Sequence, residues 1–390
     1  MNRRSLIAGA SAGALLAAGT ASPALAVFGD TPLGGTITLG VVGPFTGDTI
    51  RLGEQMGNGV RAAIDDANRF RGSLDKAYAL RTFDDQNLLA SGIVNAQFAC
   101  DDTNVVAVIG HLSGRITEAA MQTYVTNKMP VICPASTYDR LTAHGYGNLI
   151  RLGTKDSTEG HLAARYIATT IKPKSVVALY QDGDYGADVV TGFQEQMLGD
   201  KIASSAIGFA WEKPDFAAVA KTALAKSPDV IFLAGVPRDM GPIVPKLRQA
   251  GYTGAFFASQ GFFDPATLKT YAKELEGLTI SSSTPPLALA PGAFRIKNDY
   301  ERRYGPMSPL AAFSYAAAQI VIATVRRTGA ADRIAVQRTL ASSTSFDTVV
   351  GPVSFANDGD PQNPNAYFYV VKDGAWRYVT AANPNGFVVK

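Results

Sequence analysis

Val105-Val106-Ala107-Val108-Ile109-Gly110-His111-Leu112-Ser113-Gly114 opens with five consecutive apolar residues and stops on a glycine. A helical stretch around 116–125 follows, and then a second short apolar run at 131–133. Apolar runs without alternation describe strands covered on both faces, and a helix between two of them makes those strands parallel. The same rhythm extends upstream. Residues 37–42 read as a strand that ends at Gly43-Pro44. A helical stretch around 60–67 carries Val60, Ala63, Ile64 and Ala67 on one face. Residues 78–83 form the next strand, with Asp84-Asp85 at its exit, and a helix runs from there to Cys100.

The rhythm restarts after Arg151, with helices at 161–171, 189–197, 216–226 and 242–250. Strands are expected at 176–180, 203–208, 230–234 and 255–258. Two such series predict an α/β protein of two doubly wound parallel-sheet lobes, joined by a hinge, with a ligand cleft between them. Helices near 294–304 and 311–326 would pack back on the first lobe, and 367–371 with 376–379 reads as a hairpin across Asp373-Gly374. The expected division gives 36–153 with 283–350 to the first lobe, and 154–282 with 351–390 to the second. In open parallel sheets ligands bind off the carboxyl ends of strands, so residues just after strands matter most.

Arg3-Arg4, a small apolar stretch at 6–18 and Ala24-Leu25-Ala26 read as a secretory signal over 1–26, with twin arginines, cleaved after Ala26. Export without an anchor points to the periplasm. Cys100 and Cys133 do not lie at the cleavage site and read as two buried thiols, so no lipid anchor is expected. No later stretch is expected to cross a bilayer. The formal charge of +3 falls to +1 once Arg3 and Arg4 are set aside. That balance offers no footprint for nucleic acid or an anionic membrane.

Catalytic and cofactor patterns are weak. Gly9-Ala10-Ser11-Ala12-Gly13 has nucleophile-elbow spacing but lies in the signal. Gly57-Asn58-Gly59-Val60-Arg61-Ala62 has dinucleotide letters but does not directly follow a strand. His111, His144 and His161 show no zinc spacing. Asp182-Gly183-Asp184 and Asp358-Gly359-Asp360 are turns without a calcium loop. The sequence therefore predicts no enzyme activity, metal or cofactor.

The strand ends carry an ordered pattern. It runs through Val108-Ile109-Gly110-His111-Leu112, Pro134-Ala135-Ser136-Thr137, Leu141-Thr142 with Gly145-Tyr146, and Leu149-Ile150-Arg151. Asp184-Tyr185-Gly186, Asp239-Met240-Gly241 and Asp347-Thr348-Val349-Val350-Gly351-Pro352 follow. Over essentially the whole chain after the signal, this resembles the type I periplasmic binding proteins of ABC importers, specifically the branched-chain amino acid receptors. The resemblance implies that the first lobe holds the ligand's charged groups and the second closes over it. Carried across, it implies Ser113 and Gly114, then Ala135, Ser136 and Thr137, on the first lobe. On the second it implies Tyr185 over the ligand, Val236 nearby and Gln260 facing an ammonium. Leu52 takes the early loop position where an aromatic often lines the pocket.

Ser113-Gly114 and Ser136-Thr137 are each expected just before a helical segment, where free N–H groups and hydroxyls suit a carboxylate. Three positions depart from the family. Gly114 replaces a hydroxyl residue, Val236 a tyrosine, and Gln260 the acid that pairs with the ammonium, while Arg115 stands beside the carboxylate loop. The departures favour a small organic acid or amide over leucine, isoleucine or valine. A monomer that delivers its ligand to a membrane permease is expected. A periplasmic hydrolase, an amide-responsive cytosolic sensor and a sugar-responsive repressor are the rival classes.

Overall fold

A computed structural model describes residues 35–69, 76–181, 184–210, 214–342, 345–383 and 386–388. The expected signal at 1–26 and the Asp182-Gly183 turn lie outside them.

Strands β1 (Ile37–Gly43), β2 (Tyr78–Asp84), β3 (Val105–Gly110), β4 (Val131–Cys133) and β5 (Leu149–Arg151) form one sheet in the order β2-β1-β3-β4-β5. Every neighbouring pair is parallel. Helices α1 (Ile50–Arg69), α2 (Leu89–Asp101) and α3 (Gly114–Thr126) and the single turn α4 (Arg140–Ala143) fill the connections. Every residue of β1 and β3 is buried, which is why neither shows alternation.

The second sheet is built from β6 (Ser175–Gln181), β7 (Ala203–Phe209), β8 (Val230–Ala234), β9 (Ala255–Ala258) and β10 (Thr279–Ser282). Its parallel part runs β7-β6-β8-β9-β10, which is the strand order of the first sheet repeated. Helices α5 (Asp156–Tyr166) and α6 (Asp184–Gly199) cover one face. They pack backbone to backbone through two glycines. A Cβ on Gly160 would meet the Val189 carbonyl oxygen at 2.0 Å, and one on Gly192 would meet that of Ser157 at 2.0 Å.

After β10 the chain returns to the first lobe. Helix Pro309–Thr328 lies against α1 in its core. This helix corrects one expectation, because it is long and apolar enough to span a membrane. Its most apolar window is 72% buried in the protein, so a core helix satisfies the observation. β11 (Phe346–Thr348) and β12 (Gly351–Val353) make a small separate hairpin. β13 (Ala366–Lys372), β14 (Ala375–Asn383) and β15 (Gly386–Val388) then extend the second sheet, antiparallel, from the edge of β10.

Part of the tail sits elsewhere than expected. Residues 351–361, read from sequence with the second lobe, pack on the first: Phe355 is buried in that core. The Arg151 N–H also donates to the Gly359 carbonyl at 2.9 Å. Cys100 and Cys133 are both free and buried, and burial pushes their thiols up to about 11 and about 12.

Candidate functional site

A cavity of about 260 Å³ opens between the lobes. From the first sheet it takes Leu112 after β3, Pro134, Ala135 and Thr137 after β4, and Gly153 after β5. From the second it takes Tyr185 after β6, Val236 after β8, Gln260 and Gly261 after β9, and Ser282 at the end of β10. The carboxyl ends of both parallel sheets thus converge on one space, as doubly wound sheets dictate. Pro309, Leu310 and Phe313, from the start of the long first-lobe helix, add an apolar wall. On the rim, Arg51 of α1 pairs with Asp264 across the lobes at 3.1 Å. That pair is exposed enough to be worth little by itself.

A buried carboxylate organises the second-lobe side. Glu159 on α5 accepts the Gln260 backbone N–H at 2.5 Å and the Ser281 hydroxyl at 3.2 Å through one oxygen. Through the other it accepts the Tyr185 hydroxyl at 3.4 Å. The Tyr185 oxygen in turn accepts the Gly261 N–H at 3.1 Å. Burial pushes the Glu159 carboxyl up to about 7, and these hydrogen bonds restrain the rise. Sequence reasoning missed Glu159, Ser281, Leu310 and Phe313. An acid in the first turn of a helix is an ordinary charge preference, and nothing local marks Glu159 as buried.

Five of the expected residues line the cavity: Ala135, Thr137, Tyr185, Val236 and Gln260. Leu52, Ser113, Gly114, Arg115 and Ser136 are not among its lining residues. Two local expectations change. Ser113 does sit at the N-cap of α3, without a side-chain capping bond. Ser136 and Thr137, however, lie in an extended loop, because the next helix is one turn starting at Arg140. Gly114 has a packing reason for being glycine: a Cβ there would meet the Tyr138 Cβ at 2.3 Å and the Ser136 hydroxyl at 2.8 Å. The buried Ser136 hydroxyl has no hydrogen-bond partner among the described residues.

Tyr185 presents its ring, not its hydroxyl, to the cavity, because that hydroxyl is engaged by Glu159 and Gly261. Gln260 has a direction too. Its side-chain oxygen accepts the Ser283 N–H at 3.3 Å and its NH₂ also donates toward the Glu159 carboxylate, which leaves one N–H for a cavity ligand. An NH₂ donor suits a carboxylate or carbonyl, not an ammonium.

The fold also assembles carboxylates that the sequence did not group. Asp139, Asp156 and Asp188 come together with side-chain oxygens within 4.8 Å of one another. Away from the cavity, His111 is fully buried between the Asp85 carboxylate at 2.7 Å and the Tyr124 hydroxyl at 2.9 Å. That trio lies inside the first lobe and closes no open site.

Comparison with known proteins agrees with this architecture. The family model described as periplasmic binding protein matches residues 36–375. The Leu/Ile/Val-binding protein homolog 1 of Brucella suis is 25% identical over 363 residues, which cover 92% of this chain and 96% of that one. A branched-chain amino acid transporter substrate binding protein from Streptococcus pneumoniae, solved with isoleucine, superposes with a TM-score of 0.80 at 24% identity. That match covers 90% of this chain and 100% of the other. A solute binding protein of an R. palustris ABC transporter, solved with benzoate, gives a TM-score of 0.79 at 17% identity, over 91% and 98% of the two chains.

Proposed function

The chain belongs to the periplasmic binding protein family, and on that premise we propose that it is the solute-binding component of an ABC importer. It is exported by the signal at 1–26, captures its solute by hinge closure in the periplasm, and presents the closed form to a membrane permease. The observation that carries this reading is the convergence of both sheets' carboxyl ends on one small cavity. Among the described residues, the first lobe takes those within 36–153 and 283–361 and the second those within 154–282 and 366–388, with three crossings near Thr154, Ser283 and Asn363. The Thr154 N–H donates to the Ser283 hydroxyl at 3.3 Å, which ties two of those crossings together.

The solute is a small organic or aromatic acid, or an amide. Its apolar body rests on Leu112, Val236, Leu310 and Phe313. The Gln260 NH₂ meets its acceptor head. A second reading, a branched-chain amino acid receptor, is favoured by Glu159: this carboxylate lies directly behind Gln260 and can answer an ammonium. A calorimetric screen of benzoates, keto acids, amides and branched-chain amino acids separates the two. Tight binding of isoleucine with no response to the acids selects the second. If no solute of any class binds, the transport reading fails.

Closure gives a direct physical readout. Solute can drive it only by preferring the closed state. The expected result is a smaller radius of gyration by small-angle scattering at saturating solute. An unchanged radius means a rigid binder.

Tyr185 provides the test at residue level. Tyr185→Ala removes the ring over the cavity and is expected to weaken affinity ~10-fold or more. Tyr185→Phe keeps the ring and is expected to hold affinity within about a factor of three. It lowers stability without solute by about 1 kcal/mol, through the lost hydroxyl bonds. Equal affinity losses in both variants would show that the hydroxyl, not the ring, carries the contact.

A further inference from the structure

We propose that Asp139, Asp156 and Asp188 form a divalent-cation site, fitted to calcium, that ties the two lobes together beside the cleft. Their carboxylate oxygens lie within 4.8 Å of one another. Oxygens on opposite sides of a calcium ion, at about 2.3–2.6 Å each, stand about 5 Å apart. An all-oxygen set favours calcium, magnesium or manganese over zinc or copper.

The second observation is Asp156 itself. It is 2% exposed, and its Oδ1 is buried with no hydrogen-bond partner among the described residues. A buried carboxylate oxygen left without a donor or cation is costly. Here its neighbours are two more carboxylates. Burial first, then Glu159, Asp139 and Asp188, push the Asp156 carboxyl well above its usual range, against a lowering hydrogen bond from Thr137. A cation among the three relieves all of these penalties together.

The placement follows from helix packing. Asp156 stands four residues before Gly160, and Asp188 four residues before Gly192. Residues four apart share a helix face. The backbone contact at the two glycines therefore brings Asp156 of α5 and Asp188 of α6 alongside each other one turn earlier. Asp139 arrives from the first lobe and is pinned there, its Oδ1 accepting the Ser157 N–H at 3.1 Å.

Asp139 ends the loop that brings Ala135 and Thr137 to the cavity, and Tyr185 lies one turn before Asp188. Cation and solute would thus favour the same seating of one lobe on the other, and each would tighten the other reciprocally. This coupling rests on the hinge-closure reading, whereas cation binding does not.

The test uses the chelator-stripped protein without solute. Calcium chloride, magnesium chloride and zinc chloride are titrated by calorimetry and in thermal melts. The expected result is one calcium per chain, with a Kd of about 10⁻³ M or tighter. A rise in Tm of about 5 °C is expected at a hundredfold excess over Kd. Magnesium should bind more weakly, and zinc should give no rise specific to this site. Asp156→Asn and Asp188→Asn should each weaken calcium at least ~10-fold while melting, without calcium, at or above the parent temperature. Asp101→Asn, at the end of α2 and so at the opposite end of the first sheet from Asp139, should leave calcium binding unchanged. No heat and no Tm change at about 10 mM calcium would overturn the site, and so would an undiminished response in both cluster variants. If calcium binds but no solute does, the cation site stands and the transport reading falls.

Discussion

Arg151→Ala is expected to cost about 3–5 kcal/mol of folding stability, measured by urea unfolding. Arg151 is completely buried, and its guanidinium has a partner on each side. Nε donates to Asp360 at 2.6 Å, Nη1 to the Tyr138 carbonyl at 2.8 Å, and Nη2 to the Thr142 hydroxyl. Asp360 lies in the segment that returns along β5 before the chain crosses for the last time. It also pairs with Lys155, at the start of the second lobe, at 2.5 Å. Alanine leaves a largely buried carboxylate short of its main partner and strips two further acceptors of their donor. Adding Asp360→Asn removes the orphaned charge, so the double variant is expected to recover at least about 1 kcal/mol over the sum of the singles. A single-variant loss under about 1 kcal/mol would show that Lys155 and Thr142 suffice for Asp360.

Most of the fold was legible because strands hidden on both faces write unbroken apolar runs. The bounds expected at 131–133, 230–234 and 255–258 coincide with β4, β8 and β9. β10 is different. Its Thr279-Ile280-Ser281-Ser282 carries three hydroxyls, and it pairs with parallel β9 on one side and antiparallel β13 on the other. No local period reveals such a strand. Strand ends and the family resemblance together named Thr137, Tyr185, Val236 and Gln260, which line the cavity. The groups beneath it were not legible. Glu159, Asp156 and Asp188 sit on helices among other polar residues, and the close packing of α5 on α6 at Gly160 and Gly192 is not written in any local pattern. Ser136 shows the converse error: a hydroxyl residue after a strand resembles a helix cap, yet α4 begins four residues later.

Glu159 gives the protein's stability a pH dependence. Its carboxyl rises from 4.5 to about 7 in the folded protein, with burial as the main cause. Between those values the folded state keeps the proton that the unfolded chain has released, so raising the pH favours unfolding. Stability should therefore be greatest below pH 4.5 as far as this group is concerned, and fall by about 3 kcal/mol as pH climbs to 7. The groups facing it are Tyr185 from α6, Asp156 one turn earlier on α5, and the neutral Gln260 and Ser281. Glu159→Gln retains the shape and cannot titrate. It is expected to cost about 1 kcal/mol at pH 5, where the Tyr185 hydroxyl loses an acceptor, and to equal or exceed the parent at pH 8. Urea unfolding of both proteins from pH 4.5 to 8 reads the difference, and parallel curves within about 1 kcal/mol would remove Glu159 as the titrating group. The same proton reports on the solute. An acid docked against Gln260 should raise the affinity of Glu159 for its proton, so binding near pH 6.5 should draw protons from the buffer. An ammonium head should expel them. Calorimetry in two buffers of different ionisation enthalpy gives the sign directly, and proton release with a tightly bound solute would favour the amino acid receptor over the organic acid receptor.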